Sequence, residues 1–103
     1  MIVVKVTYTV KPDFVLKNQE NIHDFLKDFK KINSSEFRYI SYIGEDKKTF
    51  THISMYRNEA IQKELLAVES FKSFQQQRNE SELEVAENIE MLELVGTSYD
   101  IFN

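Results

Sequence analysis

Two alternating runs facing each other across a four-residue turn constrain this chain more than anything else in it. Phe37, Tyr39, Ser41 and Ile43 alternate with Arg38, Ile40 and Tyr42. After Gly44-Glu45-Asp46-Lys47, Phe50, His52, Ser54 and Tyr56 alternate with Thr51, Ile53 and Met55. A period of two, rich in aromatic and β-branched residues and broken by turn-forming ones, predicts an antiparallel hairpin. Both of its faces are partly apolar. One face must therefore pack on helices, and the other needs a second apolar surface to cover it.

The flanking segments supply the helices. Ile2, Val4, Val6, Tyr8 and Val10 alternate with Val3, Lys5, Thr7 and Thr9, which predicts a first strand. Pro12 ends that strand and opens a helix, with Asp13 supporting its first turn. Phe14, Ile22, Phe25, Leu26, Phe29 and Ile32 then recur on one side of a helix running to about Lys31, before Asn33-Ser34-Ser35 breaks the pattern. Beyond the hairpin, Asn58 is placed to cap a helix whose Ile61, Leu65 and Leu66 point inward. Phe71 and Phe74 sit on a second short helix near Glu69 to Arg78. Glu80 to Glu87 reads as a solvated acidic loop, and Ile89 to Val95 as a fourth strand ended by Gly96. Tyr99, Ile101 and Phe102 form an apolar tail expected to pack on a partner subunit. The sum is one α+β domain over residues 1–103, ferredoxin-like in its βαββαβ order, with a four-stranded antiparallel sheet.

Composition narrows the function classes. Of 103 residues, 42% are hydrophobic, enough for a core with an apolar face left over for a partner. Seventeen acidic residues against thirteen basic ones leave a net charge of −4, which argues against nucleic acid and against an anionic membrane surface. Lys27, Lys30 and Lys31 are interleaved with Asp24 and Asp28, the pattern of a solvated helix face. The chain has no cysteine, which excludes disulfides, thiolate nucleophiles and cysteine-held metals. No apolar run approaches membrane-spanning length, and the first residues lack the basic start and long apolar stretch of an export signal, so the cytoplasm is the expected compartment. His23 and His52 come with no third ligand at a metal-binding spacing, so no metal is expected.

Four features together, Tyr39 in the second strand, Thr49-Phe50 opening the third, Tyr56 closing it and Phe71-Lys72-Ser73-Phe74 on the small helix, resemble the antibiotic-biosynthesis-monooxygenase-like family of dimeric α+β barrels. The resemblance spans residues 1 to about 95. It implies a homodimer with two four-stranded sheets packed face to face, and a small apolar cavity between each sheet and its own helices. Some members oxidise polycyclic phenols or quinols with oxygen and no cofactor, whereas others bind and degrade haem. Tyr56 stands where Trp is frequent in the family. The first-strand Asn and the helix His of the haem-degrading relatives have no counterpart among Lys5 to Tyr8 or among Ser70, Ser73 and Gln75. Haem chemistry is therefore disfavoured and no cofactor is expected.

Cofactor-free oxidation of a phenol needs a base, hydrogen-bond donors for the anion and a dry aromatic pocket. His52 is the one residue of the sheet whose ordinary pKa suits a neutral-pH base. On this reading His52 and Tyr56 are the catalytic candidates, and Tyr39, Phe50, Phe71 and Phe74 bind a small, flat, apolar or aromatic ligand. Tyr8 and Tyr42 are further possible donors. His23 is expected at the surface, and Arg38 is expected to pair with a carboxylate. The rival is a non-catalytic ligand-binding or structural dimer of the same fold, its pocket filled by its own side chains. The face of the third strand that carries His52, and whether a void lies beside it, separates the two.

Overall fold

The computed structural model describes residues 1–102. Its alternating segments become strands β1 (Ile2–Thr9), β2 (Phe37–Ile43), β3 (Thr49–Tyr56) and β4 (Val85–Leu92) of one sheet, ordered β2-β3-β1-β4. Every neighbouring pair is antiparallel. Helix α1 (Val15–Ile32) follows a 3-10 turn at Pro12–Phe14, where the fixed φ of proline suits a helical start. Asn33 stops α1 by adopting a left-handed conformation, with φ 51°. Helices α2 (Glu59–Leu66) and α3 (Glu69–Glu80) link β3 to β4, and the Asn58 side chain caps α2 by accepting from the Ile61 amide at 3.1 Å. This is the expected ferredoxin-like α+β architecture, with two helices in the second crossover.

Pairing register fixes the two faces of the sheet. Val6 lies opposite His52, which lies opposite Ser41, and Tyr8 lies opposite Phe50. Tyr8, Phe50, His52 and Tyr56 are all buried beneath the helices, in one core with Ile22, Phe25, Phe29, Phe71 and Phe74. Phe25 is central to it. Its ring lies 4.8 Å from that of Phe74, 5.0 Å from that of Phe71 and 5.3 Å from that of Tyr39. Burying one such ring contributes about 1.5–3 kcal/mol. The opposite face carries Val3, Ile53, Met55, Ile40 and Leu92 among polar residues; Val3 is buried there, whereas Ile40 and Leu92 stay 36% and 41% exposed.

Three expectations are corrected. The last strand begins at Val85 rather than Ile89 and ends at Leu92, because Val3 pairs with Leu92 and Thr9 with Val85. The acidic stretch is no free loop, since Glu82 bonds Lys11 at 2.9 Å, Glu84 bonds Lys48 at 2.7 Å and Glu87, already within β4, bonds Arg78 at 2.7 Å. Leu66 does not point into the core but stays 41% exposed at its edge. The tail also contacts its own chain, where the Arg57 guanidinium lies 5.1 Å from the Phe102 ring centre and donates to the Phe102 carbonyl.

Candidate functional site

Three side chains from three strands converge at the middle of the helix-facing side of the sheet. His52 on β3 is 2% exposed, with both ring nitrogens engaged. Its Nε2 lies 2.8 Å from the Tyr8 hydroxyl of β1, and its Nδ1 lies 2.9 Å from the Tyr39 hydroxyl of β2. From α1, Asn18 Nδ2 donates to the Tyr8 hydroxyl at 2.9 Å, and Asn18 is itself fully buried. Behind Tyr8, the Arg78 guanidinium of α3 sits 5.1 Å from the Tyr8 ring centre and 5.3 Å from that of Phe74, anchored by Glu87 of β4.

Following the donors in turn gives the protons a direction. With its oxygen accepting from Asn18, the Tyr8 hydroxyl donates to His52 Nε2. The hydrogen of the neutral imidazole then sits on Nδ1 and is donated to the Tyr39 oxygen. Each hydroxyl has by then accepted one bond, and the Tyr39 proton is left to point elsewhere. Asn18 Oδ1 stays buried without a partner.

Burial, and then the Arg78 charge, lowers the His52 pKa to about 3, so the ring is neutral at physiological pH. Burial likewise raises the hydroxyl pKa of Tyr8, with the Asn18 bond and Arg78 opposing it, and raises that of Tyr39 well above the ordinary value. The set is thus uncharged, except for the guanidinium that faces the Tyr8 ring.

Beside this chain lies a cavity of about 190 Å³, half enclosed between the sheet and helices α2 and α3. Tyr39, His52, Tyr56 and Phe71 form part of its wall, with Val4 and Val6. Leu66 and the 60% exposed Ile89 also line it, and Gln62 and Gln75 are its longer polar side chains. Phe50 and Phe74 stand behind the wall: Phe50 stacks on Tyr8 at 5.6 Å, and Phe74 packs against His52 at 5.4 Å. Tyr39 also borders an open groove of about 320 Å³ with Leu26, Phe29, Lys30, Phe37 and Arg38. Tyr42 is 55% exposed on the other face of the sheet and does not reach either space. Arg38 donates to the Phe37 carbonyl at 2.7 Å, not to a carboxylate. His23 is exposed, as expected. Among the described residues no three acidic or histidine side chains are placed to hold a metal ion, and no helix is long and apolar enough to cross a membrane.

Neither a protein-family model nor a curated protein sequence matches the chain. Solved structures do. An antibiotic biosynthesis monooxygenase superposes with a TM-score of 0.74 at 14% identity, over 93% of this chain and 100% of the other. Rv0793 from Mycobacterium tuberculosis gives 0.77 at 14% identity, over 95% and 98%. PA3566 from Pseudomonas aeruginosa gives 0.74 at 18% identity, over 92% and 94%. The chain has the fold of the antibiotic-biosynthesis-monooxygenase-like structures. At these identities the likeness carries the architecture, and the chemistry rests on this chain's own residues.

Asn18 and Arg78 are the members of the site that residue types alone did not reveal. Spacing carried the signal. Asn18 continues the Ile22, Phe25, Phe29 stripe one step back, and Arg78 continues Phe71 and Phe74 one turn on.

Proposed function

We propose that this protein is a small homodimeric domain that binds a single-ring aromatic compound bearing oxygen, of the phenol or quinol kind, in the cavity beside His52. One observation carries the reading: the buried Asn18–Tyr8–His52–Tyr39 chain ends on an apolar-walled void with one hydroxyl proton unassigned. A preformed donor at the wall of an apolar cavity orients a ligand oxygen at little entropic cost. Volume sets the ligand class. An apolar cavity of about 150 Å³ takes one benzene, so about 190 Å³ suits one substituted ring rather than the polycycles expected from the resemblance.

The roles of the candidates follow from the geometry. Tyr39 donates to the ligand oxygen, Tyr56 and Phe71 are walls, and Phe50 and Phe74 hold Tyr8 and His52 in place. His52 acts through Tyr39, because neither ring nitrogen is free and a charged ring is strongly disfavoured at its site. Oxidation of the bound ring by oxygen is the reaction that the monooxygenase-named structural neighbour suggests. The dimer is supported by Ile40 and Leu92, 36% and 41% exposed on the outer sheet face, and by Ile89 and Met91, 60% and 68% exposed on the edge strand. A partner seated there would also close the cavity mouth at Ile89.

The test is a thermal-shift series with phenol, 4-methylphenol, hydroquinone and 1-naphthol, followed by oxygen uptake with each ligand that binds. Stabilisation by the single-ring compounds, lost in Tyr39→Phe, supports the reading. An unchanged melting temperature across the series overturns it and leaves a purely structural dimer.

A further inference from the structure

The chain from Asn18 to Tyr39 has a second way of being satisfied. Rotating the Asn18 amide by half a turn places Oδ1 where Nδ2 now meets the Tyr8 oxygen, 2.9 Å away. Tyr8 then donates to Oδ1, His52 carries its hydrogen on Nε2 and donates to the Tyr8 oxygen, and Tyr39 donates to Nδ1. Its oxygen is left to accept from the cavity. The proton count is the same in both arrangements: one proton leaves one ring nitrogen as another is taken up at the second. Each also leaves one amide atom of Asn18 without a partner, Oδ1 in the first and Nδ2 in the second. An amide paired on both sides would hold one orientation firmly, but this one has the same number of bonds either way.

Building on the binding role proposed above, we infer that Asn18 makes the cavity hydrogen-bond-reversible, so that the Tyr39 hydroxyl serves both carbonyl-bearing ligands that only accept and ring ligands that only donate. The oxidised member of a quinone and quinol pair is a ligand of the first kind, whereas the reduced member brings hydroxyls that donate as well as accept. Asn18 does not line the cavity. It acts as a positioning residue through two hydroxyls and an imidazole. Gln62 and Gln75 line the cavity as well and can meet either kind of ligand, but they leave the His52 tautomer unchanged.

The experiment reads that tautomer from the ring ¹⁵N shifts of His52 in histidine-labelled protein. Acetophenone serves as the acceptor-only probe and pyrrole, a single ring, as the donor-only probe, each first checked for binding by thermal shift. The hydrogen is expected on Nδ1 with acetophenone and on Nε2 with pyrrole. In Asn18→Leu, Tyr8 keeps Nε2 as its only acceptor, so the Nδ1–H form is locked. Pyrrole affinity then falls about tenfold, the equivalent of one lost hydrogen bond, while acetophenone affinity holds. One tautomer with both bound probes, or equal losses for both in Asn18→Leu, overturns the inference while the binding reading stands. Failure of both probes to bind overturns the inference as well, whereas the binding reading falls only with an unchanged melting temperature across the phenol series.

Discussion

The guanidinium carbon of Arg78 lies 5.1 Å from the centre of the Tyr8 ring, so a buried cation backs the first hydroxyl of the chain that leads to the cavity. Its counter-charge comes from the edge strand, where Glu87 Oε2 meets Nη2 at 2.7 Å. Glu87→Gln leaves that guanidinium without its charge partner in a buried place. Because the Glu87 side chain is 34% exposed, we expect a loss of about 1–2 kcal/mol, below the range for breaking a fully buried pair. Urea melts of the variant check the figure. A loss under a few tenths would mean that water screens the pair.

His52 gives the protein a stability slope in mild acid. Its pKa falls from 6.5 to about 3 on burial, so below 6.5 the unfolded chain binds a proton that the folded one refuses. Stability is complete above pH 6.5 and declines as pH falls towards 3, by at most about 1.4 kcal/mol per unit. Between pH 6.5 and 5, where carboxylates contribute least, His52→Gln is expected to flatten the slope. Denaturant midpoints across that window decide it, and equal slopes in the two proteins would place the His52 ring in solvent.

The two tyrosines differ in what they leave behind. Tyr8→Phe strips a partner from both Asn18 Nδ2 and His52 Nε2, two buried groups, whereas Tyr39→Phe strips one from His52 Nδ1. At about 1–3 kcal/mol for each orphaned group, Tyr8→Phe should be the more destabilising. Tyr39→Phe should remain folded and bind ring ligands more weakly. Thermal melts and ligand titrations of both variants, run together, test the order.

Much of this arrangement was legible from alternation and helical spacing, and the misses share a cause. Strands β1, β2 and β3 carry β-branched and aromatic residues at period two. Helix α1 declares itself through Ile22, Phe25 and Phe29. Strand β4 also alternates, through Val85, Glu87, Ile89 and Met91, yet its acidic residues read as loop. An edge strand tolerates charge on both faces, and Glu87 faces the helices because Arg78 comes to meet it. Asn18 hides for the same reason, as a polar residue on an apolar stripe. His52 and Tyr39 were visible as types, but their contact depends on strand register, which alternation alone does not set.

The turn between β2 and β3 offers a gain in stability. Lys47 adopts φ 62°, a left-handed conformation that costs a residue with a Cβ about 1 kcal/mol. Lys47→Gly is expected to raise stability by about 0.5 kcal/mol, since glycine also adds freedom to the unfolded chain. Paired thermal melts check it, and a lower melting temperature would show that the Lys47 side chain holds the turn.

The proposed homodimer predicts its own disruption. Ile40→Lys with Leu92→Lys charges the outer face at two exposed positions and should give a monomer by light scattering at micromolar concentration while the circular dichroism is unchanged. A wild-type chain that already scatters as a monomer would remove the dimer from the proposal.

Strand β1 is one of the two inner strands of the sheet and the first of the four to be synthesised. Its neighbours arrive late: Val6 pairs with His52 on one edge and with Ile89 on the other. During synthesis β1 must therefore wait with both edges unsatisfied until β3 has emerged, and with one edge open until β4 follows. Long-range pairings of this kind slow folding, and the first strand is where a nascent chain of this protein would need shelter.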